Sequence, residues 1–186
     1  MIREIKFTSE STTEPITLSE AKAYLQIDSG ITGNDTLITS LIKAAREKLE
    51  RVGNLSLIDR TVTVLVDMKD RISFELPYCP LNSITSVTEK SVDGDTVLAS
   101  GTGYYKHGTI YPEIELTVPA SGDVEFVYTT SKLSNETVKL AVKQAVADWY
   151  ANRGDESTNG SLMSEQLSQR SIETIMRVSR NVTLFF

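Results

Sequence analysis

Apolar residues recur at helical spacing between residues 134 and 154, and both ends of this stretch carry residues that delimit helices. The hydroxyl of Ser134 suits an N-cap, because it can accept from the first free backbone N–H groups. Gly154 suits the stop, since glycine adopts the left-handed conformation at little cost. The stretch therefore predicts one amphipathic helix. Its narrow stripe requires close partner helices and consists of Val138, Ala141, Val142, Ala145 and Trp149.

A first partner helix is predicted directly after Pro15. Thr17 and Glu20 have the spacing of a capping box, in which the threonine caps the helix and the glutamate reaches back to its backbone N–H. Leu18, Ala21 and Leu25 then share one face. This helix is expected to end near residue 27.

A longer helix is predicted from Asn34 or Asp35 to Gly53. Its apolar stripe is expected to be Ile38, Leu41, Ile42, Ala45, Leu49 and Val52. The opposite side is charged, which is typical of a solvated face, and carries Lys43, Arg46, Glu47, Lys48, Glu50 and Arg51.

Between residues 58 and 131 the apolar period changes to two, which indicates strands. Val62, Val64 and Val66 share one face of the first strand. Asp93 and Gly94 give a turn signal between two later strands. This region predicts a compact antiparallel β unit, in which a second strand directs Ile72, Phe74 and Leu76 inward. Residues 1–13 are polar and predict an extended arm or loop, with a short edge strand as the alternative.

The predicted fold class is α+β, with a small helical bundle (14–57 and 132–154), an inserted antiparallel β subdomain (58–131) and an extended C-terminal arm (155–186). The arm is unusual because chain ends are commonly polar and fray. Two interpretations stay open: the arm packs on its own domain, or it inserts into a neighbouring subunit or partner. Its apolar residues are Ile172, Ile175, Met176, Val178, Val182, Leu184, Phe185 and Phe186.

Composition narrows the classes of function. The chain has 186 residues and a net charge of −6, with no densely basic stretch. Tight wrapping of nucleic acid is therefore disfavoured, since affinity for phosphate comes mainly from clustered lysine and arginine. No apolar run approaches the ~20 residues of a membrane span, and the N-terminus lacks the apolar core of a signal peptide.

No catalytic, cofactor-binding or metal-binding motif occurs in the sequence. His107 is the one histidine and lies in a predicted turn, which favours a surface role. Cys79 is the one cysteine and is expected to be an inert small side chain. Glu113 and Glu115 are two apart on a predicted strand, where an exposed acidic face is the simpler interpretation. An enzyme is therefore disfavoured.

Four stretches, taken together and in order, resemble the head–tail connector (adaptor) proteins of tailed phages. Residues 14–25 (EPITLSEAKAYL) are similar to the opening helix of that family, and residues 37–49 to its second helix. Residues 76–87 (LPYCPLNSITSV) resemble its proline-flanked segment in the β insertion. Residues 138–153, ending in WYANR, resemble its third helix.

The resemblance implies a non-enzymatic protein of the virion neck that is present in the host cytoplasm during assembly. Copies of such proteins form a ring, typically a dodecamer, beneath the portal protein. The ring extends the DNA channel without specific DNA binding and docks a stopper or tail-completion protein. Neither a cofactor nor a membrane is implied. The resemblance also implies that the apolar arm grips the portal, and that Trp149, Tyr150 and Arg153 stabilise the end of the bundle or a neighbour contact.

Three alternatives remain open from sequence. Another phage neck protein, such as a stopper or tail-completion protein, has similar features. A ligand- or carbohydrate-binding β module would require aromatic residues clustered on an exposed β face, for which Tyr104, Tyr105, Tyr111 and Tyr128 are candidates. An enzyme would require a deep pocket that holds Glu113 and Glu115.

Overall fold

The computed structural model describes residues 1–152, and the chain divides into two compact units. The β unit comprises Met1–Thr12 and Asn54–Leu133, and the described part of the helical unit comprises Thr13–Gly53 and residues 134–152. The described residues form three helices and two antiparallel sheets, so the fold class is α+β. The predicted arm (155–186) lies outside the described residues.

Eight strands build the β unit within the described residues. One sheet has five strands in the order β1-β2-β8-β4-β5, and the other has three in the order β3-β7-β6. The strands are β1 (Ile2–Glu10), β2 (Arg60–Asp67), β3 (Ser73–Glu75), β4 (Leu81–Glu89), β5 (Thr96–Leu98), β6 (Tyr104–His107), β7 (Glu113–Leu116) and β8 (Asp123–Thr130).

The core of the β unit confirms the predicted alternation. Val62, Val64 and Val66 on β2 are fully buried, as is Val87 on β4. Phe74 of the smaller sheet stacks on Phe126 of the larger one, with ring centroids 5.4 Å apart. The two sheets therefore share one apolar core.

One strand prediction needs correction, and one turn prediction is confirmed. Ile72 was expected to point inward but is 47% exposed, because β3 begins only at Ser73. Asp93 and Gly94 do lie in the turn between β4 and β5, where Gly94 adopts a positive φ of 127°.

The structure contradicts the prediction of an N-terminal arm or loop and confirms its alternative, an edge strand. Residues 2–10 form β1, a nine-residue edge strand that pairs with β2 from Ile2 opposite Val66 to Glu10 opposite Arg60. The Arg60 guanidinium lies 4.6 Å from the ring centroid of Phe7 and 3.3 Å from a Glu10 oxygen. Backbone pairing and these contacts hold β1, although its side chains are mostly exposed.

The helical unit contains α1 (Leu18–Tyr24), α2 (Asp35–Gly53) and α3 (Glu136–Ala151). The predicted capping box is confirmed: the Glu20 N–H donates to the Thr17 hydroxyl at 3.1 Å, and the Thr17 N–H donates to the Glu20 carboxylate at 2.8 Å. The predicted cap of α3 was one residue early. Asn135 is the N-cap, and its side-chain oxygen accepts from the Val138 N–H at 2.8 Å. The predicted stop at Gly154 lies outside the described residues.

Helices α2 and α3 pack through the predicted apolar stripes. On α2 the buried apolar residues include Ile38, Ile42, Ala45 and Leu49. The prediction was wrong for Val52, which is 46% exposed, and Leu41 is only half-buried. On α3 the buried residues are Val138, Ala141, Val142, Ala145 and Val146.

Two charged residues of α2 are buried, against the prediction of a solvated face. Arg46 is 3% exposed and Glu50 is 2% exposed. Arg46 Nη1 donates to Glu50 at 2.9 Å, and Arg46 Nε donates to Glu14 at 2.8 Å. Burial alone lowers the pKa of Arg46, but Glu50 and then Glu14 outweigh it and raise that pKa. The network joins α2 to the segment that precedes α1.

Lys22 on α1 is also buried, at 5% exposure. Its ammonium group donates to the carbonyl oxygens of Ser29 and Ile31 at 3.0 and 2.7 Å, and to the Asp35 carboxylate at 2.9 Å. These bonds hold the loop between α1 and α2. Buried charged groups therefore stabilise the helical unit at two places, around Arg46 and around Lys22.

Candidate interaction surfaces

The C-terminal end of α3 carries the aromatic residues that sequence analysis selected. Trp149 is half-buried, and the Lys48 ammonium lies 5.4 Å from its ring centroid. The Tyr150 hydroxyl accepts from the Asn34 side-chain amide at 3.0 Å. Both aromatic residues thus contact α2 or the residue directly before it. Arg153, the third selected residue, lies outside the described residues.

Asp148 occupies an electrostatically unfavourable position at the same end of α3, because a helix C-terminus favours cations. Burial raises the pKa of the Asp148 carboxyl group, while Lys48 and the hydrogen bond from Asn152 oppose that rise. The Asn152 side-chain amide donates to the Asp148 carboxylate at 3.1 Å and to its backbone carbonyl at 2.9 Å. Asn152 is therefore the C-cap of α3 and donates one hydrogen bond to the Asp148 carboxylate.

A second apolar stripe runs along α2 beside the buried one, and we call it the α2 outer stripe. At 100° per residue its members fall within about 80° of the helix circumference. Leu37 is 37% exposed, Val52 is 46% exposed and Ala44 is exposed. The α2 outer stripe consists of Leu37, Leu41, Ala44 and Val52, with Lys48 among them.

One arc of α3, about 80° wide at 100° per residue, carries no charged residue, and we call it the α3 outer face. Leu140 is 46% exposed, Gln144 and Ala151 are exposed, and Thr137 and Ala147 are half-buried. A surface helix normally places charged and polar residues outward. Three of the five residues of the α3 outer face are apolar and none is charged. Exposed surfaces of this kind are typical of protein–protein contacts.

The alternative of a ligand- or carbohydrate-binding β module requires aromatic residues clustered on an exposed β face. Tyr104 and Tyr128 are buried in the β core, and the Tyr128 hydroxyl donates to the Pro77 carbonyl oxygen. Two of the four candidate aromatic residues for a ligand-binding β face are therefore not exposed. Tyr105 is exposed and Tyr111 is half-buried.

The acidic pair and its neighbours are exposed. Glu113 and Glu115 both point outward from β7, and Glu115 lies 3.0 Å from His107 Nε2. His107 is the last residue of β6 rather than a turn residue.

Cys79 is buried, and burial, followed by the charge of Glu75, raises the pKa of its thiol to about 12. Among residues 1–152 no group of three or more metal-ligating side chains occurs, and no helix is long and apolar enough to span a membrane.

Comparison with known proteins connects this fold to phage-like particles. The family model described as head completion protein matches residues 14–182. A chain in the virion of a native gene transfer agent particle is 21% identical, with a TM-score of 0.64 over 87% of this chain and 93% of that chain. A chain in the neck of an empty particle, computed with C6 symmetry, is 19% identical, with a TM-score of 0.63 over 88% and 94%.

A chain in the neck of the native particle, computed with C12 symmetry, is 20% identical, with a TM-score of 0.58 over 89% of this chain and 94% of that chain. These likenesses show a shared fold that extends over both units. No curated protein matches the chain significantly.

Proposed function

This chain belongs to the head completion protein family, and we propose on that basis that it is a structural adaptor in the neck of a tailed phage or phage-like particle. The sequence resemblance to phage head–tail connectors is thereby confirmed as a family relationship. The observation that carries the proposal is the extent of the family match, which covers both the helical and the β unit. The role is assembly rather than catalysis.

In this proposal, copies of the chain form a ring beneath the portal protein. A helical bundle (14–57 and 132–154) would form the body of each subunit, and the β subdomain (58–131) would be an insertion in it. Similar folds occur in necks computed with C6 and C12 symmetry, which supports a cyclic assembly. The dodecameric number is part of the proposal.

The ring would extend the DNA channel and give a stopper or tail-completion protein a platform. The net charge of −6 supports passage of DNA without binding, since the phosphate backbone is repelled by an acidic surface. Duplex DNA should therefore not be retained by the purified protein at physiological salt. Measurable binding in a mobility-shift assay would contradict this part of the proposal.

The C-terminal arm (155–186) is proposed to dock on the portal. Its support is the sequence alone, because eight apolar residues lie between Ile172 and Phe186. Such a segment can bind a groove or add a strand to a partner.

Deletion of residues 172–186 tests the arm. The shortened chain should keep its circular dichroism spectrum and its unfolding transition, and should lose co-sedimentation with portal rings. A matched control replaces the same segment by a glycine and serine sequence of equal length. Retained portal binding by the deleted chain would overturn the role of the arm but not the neck assignment.

The description of the family as head completion proteins also supports a second candidate, a neck protein that is added after the portal-bound ring. Binding order discriminates the two. An adaptor binds isolated portal rings directly, whereas a stopper or tail-completion protein binds only after another neck protein is present. Sedimentation with the portal alone and with the portal plus that protein separates these outcomes.

A further inference from the structure

We propose that the α2 outer stripe of one copy packs against the α3 outer face of the next copy in the ring. This inference rests on the proposed ring and specifies its subunit interface. Both surfaces are built from described residues of the helical unit. The α3 outer face carries no charged residue, whereas a solvated helix face normally carries several. The α2 outer stripe carries one, Lys48, whose ammonium lies 5.4 Å from the Trp149 ring centroid of the same copy.

The two surfaces differ in a way that suits packing against each other. The α2 outer stripe presents larger side chains, with Leu37 and Val52 exposed at its two ends. The α3 outer face presents Ala147 and Ala151 toward the C-terminal end of the helix. Small residues let a neighbouring helix approach closely, and larger side chains fill the grooves beside them.

The two surfaces also lie on different sides of the helical unit. Trp149 marks the side of α3 that meets α2, because the Lys48 ammonium lies over its ring. The centre of the α3 outer face lies about 160° around the helix from Trp149, at 100° per residue. The α3 outer face therefore points away from the α2 outer stripe of the same copy.

This arrangement is what a closed ring requires. In a ring, each subunit contacts its two neighbours through two different surfaces, whereas a two-fold dimer uses one surface twice. Two separate and mostly apolar faces on one unit fit the first case. The neck structures with C6 and C12 symmetry contain chains of similar fold, which makes a second copy the occupant that we infer.

Cross-linking in assembled necks tests the interface. The full-length double variant Ala44→Cys with Ala147→Cys places one thiol on each surface. Treatment of purified particles with a short bis-maleimide should give a ladder of linked copies, because packed helices lie about 8–10 Å apart. Either single variant alone should give no linked species, since the thiol then has no thiol opposite it.

The chain supplies its own controls. Cys79 is buried and should not react. The double variant Lys43→Cys with Ala147→Cys moves the first thiol to the charged side of α2, where Lys43 is exposed. This variant should give no ladder.

Each other outcome contradicts the inference in an identifiable way. Dimers from one single variant would show a two-fold contact. Rings that are present without a ladder from Ala44→Cys with Ala147→Cys would show that other surfaces, or residues 153–186 of the same copy, occupy these faces. If the wild-type chain is absent from purified necks, the proposed function fails first.

Discussion

The buried ion network on α2 gives a sharp stability prediction. Replacing Arg46 by methionine removes the hydrogen bond of 2.9 Å to Glu50 and takes a positive charge away from a carboxylate that is 2% exposed. Breaking a buried ion pair by removing one partner costs about 3–5 kcal/mol. Methionine has good helix propensity, so the loss of unfolding free energy in this variant measures the removal of the charge and not a weaker helix.

A double variant and an exposed pair provide the matched comparisons. Arg46→Met with Glu50→Met removes both buried charges and should recover most of the lost stability, since apolar replacement of a whole buried pair is often neutral or stabilising. The Lys43–Glu47 pair is exposed and 4.0 Å apart. Lys43→Met should therefore change the free energy of unfolding by only about 0–0.5 kcal/mol.

Trp149 makes the assay specific for the helical unit, because it is the only tryptophan and lies on α3. Urea unfolding followed by tryptophan fluorescence gives the free energy of that unit for each variant. The reasoning is refuted if Arg46→Met costs less than about 1 kcal/mol, or if the double variant is no more stable than the single one.

Three further predictions follow from local contacts. Asn135→Ala should lower the stability of the helical unit by about 1 kcal/mol and Ser134→Ala by much less; the reverse order in urea unfolding would contradict the cap assignment. Cys79 should resist maleimide in the native protein and react after unfolding, because burial raises its pKa to about 12; mass spectrometry of the native protein at pH 8 would reveal any adduct. Hydrogen bonds from Thr17 lower the pKa of Glu20, so its ionised form stabilises the fold above the ordinary value of 4.5 and that contribution is lost as pH falls through the lowered pKa. The stability difference between wild type and Glu20→Gln should therefore shrink in acid, and a difference that is constant from pH 7 to pH 3 would argue against the capping box as its source.

Local signals in the sequence were sufficient for much of this fold. The capping box at Thr17 and Glu20 involves residues three apart, and the alternation of Val62, Val64 and Val66 is complete within one strand. Such patterns need no knowledge of distant partners. The same is true of the turn at Asp93 and Gly94.

The missed features depend on residues that are far apart in the chain. Arg46 looked solvated because one of its partners, Glu14, lies 32 positions earlier. The side chains of strand β1 are mostly exposed, so the sequence of residues 2–10 shows little apolar alternation. An edge strand was therefore only the alternative prediction there. Ser134 and Asn135 are both good caps by type, and only the backbone geometry at Asn135 distinguishes them.

The candidate interaction surfaces were only partly visible in sequence. Trp149 and Tyr150 were selected by type, but their contacts with Lys48 and Asn34 required the fold. The lack of charge at positions 137, 140, 144, 147 and 151 is present in the sequence. These positions can be recognised as one exposed surface only when the buried side of α3 is known.

The central claim is that this chain forms a ring in the neck, against the portal. The most direct measurement is an electron cryo-microscopy reconstruction of purified particles whose chain carries a small tag in the β4–β5 turn, where Val92 is fully exposed. We predict a closed ring of tagged subunits directly below the portal. Tagged density away from the neck, or particles that contain no copy of the chain, would contradict it.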